Sequence, residues 1–151
     1  MIFIIYLKKL KEYICGISMR KDIQNIDDIK VLVDSFYAKV NEDELLSPIF
    51  NKVAMVNWEA HLPRMYAFWA SLLIDSNEYR GQPFDKHAEH SAHIHALHFD
   101  RWIRLFNATI DEHFEGEKAK LAKTRASSIG AIFQYKLDFI RNNPPVENPE
   151  V

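Results

Sequence analysis

The chain has 151 residues, of which 48% are apolar and 26% are charged, and its formal net charge is −2. A chain of this length is expected to form one domain with a sizeable core. The weakly acidic charge balance argues against nucleic acid and anionic lipid as partners. The single cysteine, Cys15, excludes an intramolecular disulfide and is consistent with a cytoplasmic location.

The first 18 residues differ in composition from the rest of the chain. Residues 1–6 form an apolar run that is shorter than the ~7–15 residues of a secretory core and far shorter than the ~20 of a membrane span. Three lysines follow this run, whereas a signal peptide carries its positive charges before it. We interpret residues 1–18 as an N-terminal extension that need not be native, since translation could start at Met19. A helix on a membrane surface and a helix docked on the domain are the alternatives.

Residues 19–142 are predicted to form an all-α domain with four long helices. Only four glycines occur, no Asn-Gly or Asp-Gly pair marks a hairpin, and apolar residues recur at helical spacing. Asn25 and Asn57 are the predicted caps of the first two helices. The inward stripes of the four helices are predicted as Ile26, Ile29, Leu32, Val33, Phe36, Tyr37 and Val40; Trp58, His61, Leu62, Met65, Phe68, Trp69 and Leu72; Phe99, Trp102, Ile103, Phe106, Ile110 and Phe114; and Leu121, Ala122, Ile129, Phe133 and Leu137.

Short connections between these helices predict two packed helix pairs, since helices joined by short loops pack side by side as antiparallel neighbours. Gly116 separates the third long helix from the fourth, and the run Asn142-Asn143-Pro144-Pro145 ends the fourth. Residues 143–151 are therefore predicted to be a flexible tail.

The segment from Gly81 to His87 is the most informative part of the sequence. Proline is favoured at the first position of a helix, so Pro83 predicts the start of a short helix that holds His87 one turn further on. An imidazole on a short helix, facing helices rich in aromatic residues, is typical of the protein ligand of a haem iron. His87 is therefore the predicted iron ligand, with its other ring N–H bonded to a backbone carbonyl. His90 is the alternative ligand.

Polar-tipped rings interrupt three of the apolar stripes, at Tyr37, His61 and Trp102. Core packing explains each of them alone, but three such donors on three helices, together with a fixed histidine, indicate a ligand site. Tyr37 and Trp102 are predicted to donate hydrogen bonds to a diatomic ligand, and His61 to donate or to act as a gate. The other predicted cofactor contacts are the apolar walls Phe36, Phe50, Met65, Phe68 and Trp69, and Arg64, a partner for a haem propionate.

In their order and combination these residues resemble the group III truncated haemoglobins of bacteria, which are small globins with a two-over-two helical sandwich. The resemblance covers about Ile23 to Leu137 and implies a globin-like fold with haem b. It implies His87 as the proximal ligand, Tyr37 and Trp102 as distal donors, and His61 at the distal position where globins often keep a gate. The matching elements are Phe36-Tyr37; Pro48-Ile49-Phe50-Asn51; His61 with Phe68-Trp69; Gly81-Gln82-Pro83 with Lys86-His87; and His98-Phe99-Asp100-Arg101-Trp102 with Leu105-Phe106.

One residue departs from the expected pattern of this family. Pro63 lies two residues after His61, inside a predicted helix, which suggests that the helix starts late or bends. The distal assignment of His61 depends on the course of this helix.

The resemblance also implies a function, namely binding of O₂ and NO at a five-coordinate iron in a polar distal pocket. Strong distal hydrogen bonds would slow the release of O₂, which favours chemistry on the ligand over bulk transport. Nitric oxide dioxygenation and a peroxidase-like reaction both fit. No reductase domain is recognised in the sequence, so an external electron-donating reductase is the expected partner.

Further histidines in the stretch after His87 support a rival interpretation. Histidines spaced three apart would share one helical face and could bind Zn, Ni or Cu. However, no His-Glu-x-x-His pattern accompanies them. A helical interaction module without a cofactor is the third interpretation, but it gives Tyr37 and Trp102 no task. The histidines concerned are His87, His90, His93, His95 and His98.

Overall fold

The computed structural model describes residues 4–5, 20–74 and 79–144. These ranges contain four long helices and a short one, as predicted, and no strand, so the all-α prediction is confirmed. No helix in this described part is both long and apolar enough to cross a membrane. The elements are α1 (Ile26–Glu42), a π-helical turn (Ile49–Val53), α2 (Trp58–Leu73), α3 (Pro83–Ala88), α4 (Ala96–His113) and α5 (Glu117–Asn142).

Local capping chemistry sets the starts of the first helices. The Asn25 side chain accepts a hydrogen bond from the Asp28 backbone N–H at 3.1 Å, and the Asn57 side chain accepts one from Ala60 at 3.3 Å. Each bond satisfies an N–H that the first turn of a helix leaves without a partner. Pro83 stands at the start of α3. All three predicted helix starts are therefore confirmed.

Pro63 lies inside α2, which begins five residues earlier at Trp58. The late helix start suggested by this proline is therefore wrong. Proline has no N–H, so the carbonyl of Glu59, four residues back, lacks its usual hydrogen bond within the helix. The helix nevertheless begins before Pro63, because the Asn57 cap and the first turn after it are already formed. As a result, His61 lies within a formed helix.

The helices pack as two layers of two. α1 packs on α2, and α4 on α5; the pairs meet where α1 packs on α4 and α2 on α5. Aromatic rings fill the centre: Trp69 stacks on Phe106 with ring centroids 4.5 Å apart, and Phe36 meets the edge of Phe106 at 5.2 Å. These three side chains are almost completely buried. The predicted two-over-two sandwich is confirmed.

Small residues bring α5 close to α4, and this changes which side chains face inward. A Cβ on Gly130 would lie 2.9 Å from Cδ1 of Ile103, so the Ile103 side chain packs directly on the backbone of α5 there. Ala122 is fully buried, while its large neighbour Leu121 is 36% exposed. Ile26, the first residue of α1, is 40% exposed, because Ile29 one turn later takes the core position. The predictions that Leu121 and Ile26 point inward are therefore wrong.

A buried carboxylate joins the end of α1 to α4. Asp43 accepts hydrogen bonds from the backbone N–H groups of Leu45 and Leu46, each at 3.0 Å, and its other oxygen lies 2.6 Å from Nη1 of Arg101. Burial acts to raise the pKa of Asp43, but these donors outweigh burial and hold the pKa below its ordinary value. The pair fixes α1 relative to the helix that carries Trp102.

Most of the predicted extension and tail lies outside the described residues. Of residues 1–18 only Ile4 and Ile5 are described, and both side chains are exposed, at 68% and 58%. Residues 145–151 of the predicted tail also lie outside the described ranges. The domain bounds 19–142 stay predictions.

Candidate functional site

A cavity of about 1250 Å³ opens between the helices, lined mainly by apolar and aromatic side chains. This volume is somewhat above the ~300–1,000 Å³ that is typical of sites for small molecules and cofactors. Nine of the ten predicted site residues line it: Tyr37, Phe50, His61, Arg64, Met65, Phe68, Trp69, His87 and Trp102.

Phe36 is the predicted site residue that does not line this cavity. Its side chain is 1% exposed, and its ring meets Trp102 and Phe106 edge-on at 5.4 and 5.2 Å. Adjacent residues on a helix point about 100° apart, so when Tyr37 faces the cavity Phe36 faces the core. Phe36 thus supports the cavity wall from behind.

His87 is held in one orientation by a backbone carbonyl and an aromatic ring. Its Nδ1 lies 2.6 Å from the carbonyl oxygen of Pro83, one turn earlier in α3, and its ring contacts that of Phe133 at 4.8 Å. Because Nδ1–H donates to the carbonyl, Nε2 carries the free lone pair. Burial lowers the pKa of His87 although the Pro83 carbonyl acts to raise it. The ring is therefore held as the neutral imidazole, the form that binds a metal.

His90, the alternative ligand, also lines the cavity. Its backbone N–H donates to the carbonyl of His87 at 3.1 Å, in the turn that follows α3. Of these two histidines, only His87 has a described hydrogen bond from its ring to a backbone carbonyl. The orientation predicted for an iron ligand is found at His87.

Tyr37 is the most deeply buried of the three polar-tipped rings, at 5% exposure. Its ring meets His61 at 5.1 Å and Phe50 at 5.8 Å, both edge-on. Burial raises the pKa of Tyr37 above its ordinary value, because the phenolate would be poorly solvated there. The hydroxyl therefore keeps its proton and can donate it in a hydrogen bond.

His61 has a buried ring nitrogen without a partner in the part of the chain that the structure describes. Among the described residues nothing hydrogen-bonds its Nε2, although buried polar atoms nearly always have a partner. Burial is the main cause that lowers the pKa of His61 to about 4, and electrostatic repulsion from the neighbouring His87 and Arg64 side chains adds to it. A neutral imidazole with a free nitrogen at the cavity wall is what a site for a polar ligand presents.

Trp102 is fixed by packing on the core. Its indole lies parallel to the ring of Phe106, with centroids 5.4 Å apart and planes 2° from parallel. The side chain is half-buried and lines the cavity. Its Nε1–H can only donate a hydrogen bond.

Basic side chains stand at the outer part of this cavity. Arg64, Arg80 and Lys86 line it and are solvent-exposed. The exposed carboxylates Asp85 and Glu89 line it too, and Glu89 pairs with Lys86 at 3.2 Å, so among the described side chains of the rim the two arginines are the cations left for a ligand. Exposed guanidinium and ammonium groups bind carboxylates through charge-assisted hydrogen bonds. An apolar interior with a fixed imidazole, a buried nitrogen that no described residue hydrogen-bonds, and two rim arginines fits a haem, which has a flat apolar ring, an iron and two propionates.

The sequence interpretation did not recognise the side chains of α5 as part of the cavity wall. Ile129, Gly130 and Phe133 line the cavity. Ile129 and Phe133 belong to the predicted inward stripe of α5, so the periodicity found them but could not tell a cavity wall from helix packing. Tyr79, Gly81 and Gln82 also line it; Gly81 and Gln82 belong to the segment singled out in the sequence, but the sequence predicts them only as the lead into α3 and not as wall residues.

The histidines beyond His87 do not form a metal cluster in the described ranges. Nowhere in residues 4–5, 20–74 and 79–144 do three His, Cys, Asp or Glu side chains come together in a way that could hold a metal ion. His98 instead accepts the backbone N–H of His95 at 3.0 Å, at the start of α4. The multi-histidine metal site of the rival interpretation therefore lacks its ligand set in this part of the chain.

A two-over-two helical sandwich around a histidine-bearing apolar cavity defines a haem-binding globin. A family model described as "Bacterial-like globin" matches residues 22–132. "Group 3 truncated hemoglobin ctb" of Campylobacter jejuni is 30% identical over 122 residues, covering 79% of this chain and 95% of that protein. The crystal structure of group III truncated hemoglobin from Campylobacter jejuni matches with a TM-score of 0.70 at 30% identity, covering 79% of this chain and 95% of that one. The chain belongs to the bacterial-like globin family, and the predicted kinship with the group III truncated haemoglobins is confirmed.

Proposed function

We propose that this chain holds haem b in the cavity through His87 Nε2 and uses it for chemistry on O₂ and NO rather than for bulk oxygen transport. One observation carries the proposal: three polar-tipped rings, from three different helices, line the same cavity as a histidine whose Nδ1 is already bonded to a carbonyl. A haem that only needed an apolar pocket would not require these rings.

When bound, the haem supplies an iron that takes up diatomic gases. The Pro83 carbonyl orients the His87 ring and makes its Nε2 more basic, which strengthens its hold on the iron. Arg64 at the exposed rim would pair with a propionate. The apolar part of the wall excludes water from the distal side; it consists of Phe50, Met65, Phe68 and Trp69.

The distal donors determine how long O₂ stays. The Tyr37 hydroxyl and the Trp102 Nε1–H would donate hydrogen bonds to a partly negative diatomic ligand, and the neutral His61 would offer a third polar contact. Each bond to a charge-bearing partner is worth about 1.5–3 kcal/mol. Slow release follows, which suits a reaction with a second molecule better than delivery of oxygen.

Nitric oxide detoxification is one reaction that fits this retention. O₂, NO and one electron together give nitrate, and the electron comes from a separate reductase in the cytoplasm. A peroxidase-like reaction uses the same donors to polarise an O–O bond. In both reactions the Tyr37 hydroxyl is the protonated donor in the distal wall.

The absorption spectrum of the purified protein, reconstituted with haem where needed, tests the proposal. A Soret band that shifts on adding CO or NO is expected. The reaction is tested by mixing the oxygenated protein with NO and measuring nitrate, which should form in a one-to-one ratio to haem. A colourless protein containing zinc would support the metal-binding alternative, and NO loss without nitrate would exclude the dioxygenase reaction.

A further inference from the structure

We infer that Trp58 is a positioning residue of the distal wall: its indole, bonded to Asn51, holds the rings of Tyr37 and His61 where they meet the ligand. Trp58 is the first residue of α2 and is not among the side chains that line the cavity. It therefore acts through its neighbours. The inference rests on the proposed function, because it concerns the distal donors named there.

Trp58 contacts three rings of the cavity wall at once. Its indole lies 5.4 Å from the ring of Tyr37, 5.6 Å from that of His61 and 5.9 Å from that of Phe50, with the last pair nearly stacked. Tyr37 and His61 also touch each other, at 5.1 Å. Because the four rings form one contiguous cluster, a rotation of the indole displaces both polar-tipped rings.

A hydrogen bond fixes the rotation of this indole. Trp58 Nε1–H donates to Oδ1 of Asn51 at 2.8 Å. The Asn51 amide is itself fixed, since its Nδ2 donates to Oδ1 of Asn41 at 2.9 Å and to Oγ of Ser47 at 3.1 Å. Three segments thus determine where the indole stands: the end of α1, the connector after it and the π-helical turn.

The π-helical turn gives Asn51 its place in this network. Its residues Ile49–Val53 make a wider turn than an α-helix, and single π-turns are frequent at functional sites. Phe50 and Asn51 are adjacent in it: Phe50 lines the cavity, while Asn51 is exposed on the outer side. The turn therefore contributes one ring to the wall and one amide to the outer hydrogen bond.

Packing alone does not account for the pair Trp58 and Asn51. Trp69 on the same helix is 1% exposed and is a core residue, whereas Trp58 is only half-buried.

Two variants test the hydrogen bond between Trp58 and Asn51. Trp58→Phe keeps an aromatic ring and deletes the N–H, and Asn51→Leu deletes the acceptor and leaves Trp58 in place. The two variants remove the same bond from opposite ends.

The experiment measures O₂ dissociation from the holoprotein by stopped flow, in the wild type and in a Tyr37→Phe background. Trp58→Phe and Asn51→Leu should each speed dissociation about threefold to tenfold in the wild type, within the coupling range of contacting side chains. In the Tyr37→Phe background the effect should fall below about twofold, because the Tyr37 hydroxyl is gone and only His61 is left for Trp58 to position.

Tyr66→Phe is the matched control. The Tyr66 hydroxyl donates to Asp34 and so also joins α2 to α1, but Tyr66 does not line the cavity. Loss of that bond should leave O₂ dissociation unchanged. A rise as large as that of Trp58→Phe would mean that any loosening of α1 against α2 has this effect, and would overturn the inference.

The infrared C–O stretch of the CO complex decides the inference independently of the O₂ kinetics. This band reports polar groups near the ligand, so both Trp58→Phe and Asn51→Leu should broaden or split it as Tyr37 and His61 take more than one position. An unchanged single band, with only a lower melting temperature, would make Trp58 a structural residue and overturn the inference. Failure of Tyr37→Phe to alter O₂ dissociation would instead count against the proposed function. If Trp58→Phe does not fold, Asn51→Leu alone gives both readouts.

Discussion

Tyr37→Phe removes one hydroxyl from the cavity wall and leaves the rest of the wall unchanged. The ring is packed against Phe36 at 4.8 Å and Phe50 at 5.8 Å, and phenylalanine fills the same space. No void is created, so the cost of a core cavity does not enter. The variant therefore isolates the hydrogen bond that the hydroxyl would donate to bound O₂.

The expected effect on O₂ dissociation is large. Burial raises the pKa of Tyr37, so the hydroxyl is a protonated donor throughout the physiological range. A hydrogen bond to a charge-bearing partner is worth about 1.5–3 kcal/mol, and each ~1.4 kcal/mol is a factor of ten. Dissociation should therefore accelerate about tenfold to a hundredfold. Trp102→Phe deletes the other donor and should accelerate O₂ dissociation by a similar factor.

Stopped-flow displacement of O₂ by CO measures these rates. Dissociation of CO serves as the internal control, because bound CO is much less polar than bound O₂ and should respond less. Thermal unfolding of each variant checks that the fold is retained. O₂ dissociation rates within about twofold of the wild type in both Tyr37→Phe and Trp102→Phe would show that neither side chain contacts the ligand, and the reasoning from the distal wall would fail.

His87→Ala should lose most of the haem or its normal ferrous spectrum, while His90→Ala should be nearly silent in the same absorption measurement; reversed results would move the ligand to His90. Asp43→Asn should lower the free energy of unfolding by about 1–2 kcal/mol at pH 7. Because the folded-state pKa of Asp43 is lowered, this stability is present above the unfolded pKa and disappears as the pH falls through the folded one, so urea titrations of variant and wild type should converge in acid. The exposed neighbour variant Glu44→Gln is the control. Deletion of residues 1–18 should leave the haem spectrum intact and the melting temperature within a few degrees; a fall of many degrees would show that the extension is docked.

Helix starts could be predicted because the chemistry that sets them is local. Asn25 and Asn57 accept N–H groups of the turns that follow them, and Pro83 needs no hydrogen-bond partner at a helix start. The link between Pro83 and His87 is also local, since one helical turn brings the imidazole to the carbonyl. The orientation of His87 therefore followed from seven consecutive residues.

Features that depend on packing between distant helices could not be predicted in this way. Helical periodicity placed Phe36 and Tyr37 on one stripe, but only the position of α4 decides that Phe36 meets Trp102 in the core while Tyr37 reaches the cavity. Phe133 was predicted to face inward, yet its contact with His87 joins residues 46 positions apart. Local propensity was also overridden at Pro63, since proline disfavours a helix interior and yet this residue lies inside α2.

The three polar-tipped rings share a property that the sequence does not reveal. Burial raises the pKa of Tyr37 and lowers that of His61 to about 4. The indole of Trp102 has no titratable group. All three side chains are thus uncharged between about pH 5 and 9. The nearby Arg64 and His87 help to keep His61 uncharged, because both lower its pKa. A distal wall of neutral donors offers hydrogen bonds of constant strength across that range. A pH dependence of the proposed O₂ and NO chemistry in that interval would therefore come from groups other than these three side chains.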